Sequence, residues 1–174
     1  MKKLNNYIIE KLKLDKTLIA KNQTDIDDIS TVDDLLSFMN ADNIEFKKGN
    51  RRQHRADAYE FDNDNLVKFT HSNFNATIVG KIANKYSYKK DNIAIYQSQS
   101  SSTNTFWVTL HLSSLLGGLN KINVLSLYIK NSKCILQNHY NYADHTRLTE
   151  DLYIKCLQIF AEIYRAIDEY VSKL

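Results

Sequence analysis

The sequence predicts an α+β fold: a curved antiparallel sheet of five to seven strands, covered on one face by a long C-terminal helix and a central helix, with short helices at the N-terminus. Three observations predict it. Apolar side chains recur at every second position through the middle of the chain, as in Tyr59 and Phe61 or Phe106, Val108 and Leu110, which is the period of a strand with one buried face. After Thr149 they recur at every third or fourth position, the period of a helix. The strand-like segments are grouped rather than alternating with helices, which favours α+β over a doubly wound sheet.

Along residues 2–14, Leu4, Ile8, Ile9 and Leu12 fall on one helical face with lysines opposite. Residues 1–20 therefore read as an amphipathic helix, either packed on its own sheet or serving as a docking arm for a partner or for a second copy of the chain. Residues 21–174 read as a single domain. Residues 20–29 are polar and acidic and read as a connector. Ser30 or Thr31 then caps a second helix, with Asp33 and Asp34 near its positive end and Leu35, Leu36 and Met39 inward. That helix should stop near Asn40.

Ile44 and Phe46 alternate with Glu45 and Lys47, a strand that runs out at Gly49-Asn50. Tyr59 and Phe61 form a second. Asp62-Asn63-Asp64-Asn65 reads as a turn, with Leu66, Val67 and Phe69 as a third strand beyond it. Ser72 can cap the central helix over 72–88, in which Phe74, Ile78, Ile82 and Tyr86 keep helical spacing.

Strands then return at Ile93 and Ile95, Phe106 to Leu112, Val124 to Ile129, and Cys134 to Leu136. A serine-rich loop spans Gln97 to Thr105, and Gly117-Gly118 and Asn131-Ser132 mark turns. Finally Thr149, followed by Glu150 and Asp151, opens a helix with Leu152, Cys156, Ile159 or Phe160, Ile163, Ile167 and Tyr170 on one face. Its length of about 24 residues would span about 36 Å, enough to cross a sheet.

Composition narrows the setting. A chain of 174 residues buries about 70% of its unfolded surface, enough for a core without staples. Cys134 and Cys156 match no metal spacing and have apolar neighbours, as buried thiols in a reducing, cytoplasmic compartment would. Met1-Lys2-Lys3 is followed by no apolar run, and no stretch reaches the roughly 20 apolar residues of a membrane span. The absence of proline and the wealth of asparagine, lysine, isoleucine and tyrosine fit AT-rich coding, as in an AT-rich bacterium, its phages or a mobile element.

Charge is distributed unevenly. Residues 1–46 carry six basic and nine acidic side chains, whereas residues 47–90 carry ten basic and four acidic. Local density of this kind decides anion binding more than the net +3 does. Its centre is Lys47, Lys48, Arg51, Arg52, His54 and Arg55, with Gly49 and Asn50 among them. Guanidinium forks on one loop can converge on phosphate or on an acidic protein face. The plain alternative is a solvated turn balancing the acidic stretch from Asp25 to Glu45.

A second segment, His139 to Arg147, carries His139, Asp144 and His145, ligand types for a transition metal. Its spacing matches no metal motif, and it reads equally as a surface loop; no metal site and no cofactor is assigned. His111 should share an outward strand face with Trp107 and Thr109, lining a groove or lying under a helix. No nucleophile elbow, phosphate-cradling glycine loop or activated cysteine is present.

The functional expectation is a non-catalytic binding or interaction protein that sets residues 47–55 against an anionic macromolecule, nucleic acid or an acidic protein surface. One alternative is a metal-dependent phosphodiester hydrolase using Asp57, Glu60, Asp62 or Asp64. The other is a structural or inhibitory protein of a phage or mobile element.

Overall fold

The computed structural model describes residues 26–52, 55–71, 80–81, 84–85, 92–100, 102–113 and 121–174. The arm at 1–20 and the Gly117-Gly118 turn lie outside these residues, as does most of the central helix. Its described positions, 80–81 and 84–85, are helical.

Helix α1 (Val32–Phe38) starts where a cap was expected. Thr31 accepts from the Asp34 backbone N–H, and Asp34 returns the bond to the Thr31 N–H, so two otherwise orphaned donors are satisfied. The helix ends at Asn40, whose φ of 51° closes it in the left-handed region. Strand β1 (Asp42–Lys47) and strand β2 (Asp57–Asp62) follow.

The next element differs from the sequence expectation. Asp64–His71 is a helix, α2, not a third strand. Asn63 is its cap: Oδ1 accepts from the Leu66 N–H at 2.9 Å, while Nδ2 donates to the Met39 carbonyl and to the Tyr164 hydroxyl. Leu66, Phe69 and Thr70 are the buried positions, a helical rather than alternating set. Asn63→Ala would remove the cap and leave the Met39 carbonyl without this donor. It should cost about 2 kcal/mol, read as a lowered urea midpoint at unchanged slope.

Strands β3 (Ile93–Ser100), β4 (Thr105–Leu112), β5 (Ile122–Lys130) and β6 (Lys133–Asn138) complete the sheet. The polar tract Gln97 to Ser100 is part of β3 rather than loop, because it pairs in register with Thr105 to Val108. All six strands are antiparallel in the order β1-β2-β6-β5-β4-β3, as the predicted fold class requires. A bulge where β5 meets β4 at Leu110/His111 lets neighbouring Val124 and Leu125 both be buried.

Helix α3 (Glu150–Ser172), capped by Thr149, packs across the sheet together with α1 and α2. Cys156, Phe160, Ile163 and Ile167 of α3 join Phe61, Cys134, Leu127 and Val108 of the strands in one core. Ile26 and Ile29, from the stretch expected to be a polar connector, are part of that core. Gln158 holds them there by donating to the Asp27 and Ile29 carbonyls, each at 3.2 Å. Lys85 pairs with Glu162 of α3 at 3.5 Å, which sets this part of the central helix beside the terminal one.

The opposite sheet face carries Tyr96, Trp107 and Tyr128, whose rings follow one another across β3, β4 and β5 at 5.7 and 5.1 Å. The Trp107 indole donates to Thr109. Trp107 and Thr109 thus lie on the face away from α3.

Candidate anion-binding cleft

Antiparallel order brings the end of β1, the start of β2, the end of β6 and the start of β5 to one margin of the sheet. The loop after β1 and the segment after β6, far apart in sequence, therefore meet there. Between them opens a cleft of about 430 Å³, lined by Arg55, Lys121, His139, Tyr142, Asp144 and Arg147, with Ile122, Asn123 and Ala143. This volume lies in the range of small-ligand sites.

The margin is held by Asp57, which is 5% exposed. One carboxylate oxygen accepts from the Gly49 N–H at 2.9 Å and the other from the Asn141 amide at 3.0 Å. The Tyr142 hydroxyl lies 2.8 Å from both Asp57 Oδ1 and the Gly49 carbonyl oxygen, so its one proton serves two acceptors. Burial pushes the Asp57 carboxyl up, but the bonds from Gly49, Tyr142 and Asn141 and the charge of Lys48 outweigh it and leave it below its ordinary value. Asp57 thereby ties the basic loop to the 3₁₀ turn at Tyr140–Tyr142.

His139 supplies a second tie. Its Nδ1 lies 2.9 Å from the Arg55 carbonyl oxygen, which can only accept, so the proton sits on Nδ1. Burial lowers the affinity of the ring for a second proton, against the opposing bond to Arg55, and His139 is neutral at pH 7. Asp144 accepts from the Thr146 hydroxyl and N–H at 2.7 and 3.0 Å; these bonds hold its carboxyl below the usual range. The cleft thus presents three cations, Arg55, Lys121 and Arg147, against one carboxylate.

The six predicted anion-binding residues part company here. Arg55 lines the cleft. Lys47 and Lys48 are exposed at the end of β1, and Arg51 and Arg52 are exposed in a turn where the Arg52 N–H donates to Asn50. His54 lies outside the described residues. Lys121 was not singled out by sequence: a lone lysine 66 positions from Arg55 carries no local signal.

The other predicted groupings do not assemble. His145 Nε2 donates to the Tyr140 carbonyl at 2.7 Å and its ring stacks on Tyr140. Asp57 is committed to the loop, while Asp62 binds Lys133 at 2.9 Å and Asn43 at 3.0 Å. Among the described residues no three His, Cys, Asp or Glu side chains are placed to hold a metal ion. Cys134 is buried and its thiol is pushed up to about 12 by desolvation, far from a nucleophilic thiolate. No described helix is long and apolar enough to cross a membrane.

No family model, curated protein or solved structure matches this chain. The residues of the cleft are therefore the whole basis for a functional reading.

Proposed function

We propose that this chain is a binding protein that receives an anionic group of a macromolecular partner in the cleft beneath the sheet margin. The observation that carries the reading is the convergence of Arg55, Lys121 and Arg147, from three separate segments, around one concavity. Two guanidinium forks and an ammonium suit the several oxygens of a phosphate. Lys48, Arg51 and Arg52 are exposed on the same loop as Arg55 and extend the cationic surface beyond the cleft. A polyanion running outward from it would meet them in turn, which favours nucleic acid over an acidic protein face.

Fluorescence anisotropy with single-stranded and duplex oligonucleotides tests this. Binding should be measurable near 50 mM salt and fall steeply towards 200 mM, with a log–log slope of about −2 to −3 for three phosphate contacts. Arg55→Ala, Lys121→Ala and Arg147→Ala should each flatten the slope by about 1. Lys130→Ala, at the opposite end of the sheet, should leave it unchanged. If no oligonucleotide binds at low salt, the nucleic-acid reading fails and an acidic protein surface is the partner to test next.

A further inference from the structure

We infer that β1 is a docking edge for a second copy of this chain, joining two sheets through an antiparallel β1–β1 pair. Among the described residues strand β1 stands at the margin of the sheet and pairs only with β2. Every one of its six residues is exposed, so a row of backbone N–H and C=O groups faces outward among the described residues. Such an edge is a template for another strand. The pairing with β2 is irregular between Asp42 and Glu45, which leaves Glu45 to Lys47 as the regular stretch; beside it Ile44 is 46% and Phe46 is 52% exposed, and Phe46 is backed on one side by the Tyr59 ring at 5.1 Å.

Charge names the occupant. Glu45 stands directly across from Glu60 of β2, a like-charge pair that is unfavourable on a sheet. Lys133 is near enough for both carboxylates to act on it, but its ammonium is engaged by Asp62 at 2.9 Å. Among the described residues Glu45 has no ion pair of its own, and β1 itself carries a cation, Lys47, at the right spacing.

A twofold axis perpendicular to the sheet keeps each face on its own side, so opposed residues must lie on the same face. Of the registers that satisfy this, the one with Phe46 on the axis sets Glu45 of each copy against Lys47 of the other. The two Phe46 rings then meet on the helix-bearing side. Sliding by two residues puts Glu45 against Glu45 one way and Lys47 against Lys47 the other. The chain's own charges thus select one register.

The test is sedimentation of the full chain from low to high micromolar concentration. A reversible dimer should appear, and Phe46→Lys should abolish it while the circular dichroism spectrum stays native, since the side chain is exposed. Glu45→Lys or Lys47→Glu alone should each weaken the dimer by about tenfold. The double exchange should restore it, because the opposite charges then face each other with roles reversed. A chain that stays monomeric throughout overturns the proposal, as does a dimer indifferent to these exchanges. Neither outcome bears on oligonucleotide binding at the cleft, which lies at the strand ends.

Discussion

Phe69→Ala should be the most damaging single truncation outside α3, costing about 4 kcal/mol. Phe69 is fully buried and meets two rings edge-on, Phe106 of β4 at 5.2 Å and Tyr170 of α3 at 5.9 Å. It joins the sheet to the last turns of the terminal helix, so its loss opens a cavity that rigid strands on one side cannot collapse into. Edge-to-face pairs add to the area term. Chemical denaturation should show a much lower midpoint, whereas Phe46→Ala, on an exposed side chain, should move it little. A loss below about 1 kcal/mol for Phe69→Ala would mean that this ring does not couple the layers.

Phe69 also marks where local pattern and fold part. Leu66, Val67 and Phe69 fit a strand through positions 67 and 69 and a helix through 66, 69 and 70, and three apolar residues are too few to choose. What decides is Asn63, whose side chain reaches Met39, Tyr164 and the Leu66 N–H at once. Two of those partners are remote in sequence. The terminal helix posed no such problem, because its repeat runs for six turns under a recognisable cap. Strand β6 was legible for the same reason, burying Cys134, Leu136 and Asn138 at every second position, whereas β5 buries Val124 to Leu127 in a row and β1 buries none of its residues.

The cleft was half legible. Two of the three segments that line it stood out by composition, but that Arg55 and Arg147 share a concavity depends on β2, β6 and β5 being neighbours. Strand order is not written in any one segment. Asp57 left a usable trace. It has the parity of Tyr59 and Phe61, so a carboxylate was bound to face inward on that strand and to need donors. The donors themselves, Asn141 and Tyr142, lie more than eighty residues on.

That arrangement makes Asp57 the residue through which stability and binding should fail together. Asp57→Ala strands the Gly49 N–H and the Asn141 amide, and deprives Tyr142 of one acceptor. Bonds to a charged, buried acceptor are the costly ones to lose, and the variant should be about 3 kcal/mol less stable. The loop from Lys48 to Arg55 would lose its anchor to the 3₁₀ turn, so anion affinity should fall even where the variant remains folded. Asp57→Asn separates charge from shape: the amide keeps the volume but turns donors toward donors, and most of the loss should persist. The pH dependence has a definite sign. The folded carboxyl lies below its ordinary value, so the folded state binds fewer protons than the unfolded one on the way down in pH. The stabilisation is complete above the unfolded value of about 3.9 and disappears as pH falls through the lower, folded value. Wild type should therefore lose stability in acid more steeply than Asp57→Asn, and denaturation curves for the two should draw together as pH falls through the lower, folded value. Parallel curves down to that pH would show that the carboxylate is not what holds the loop.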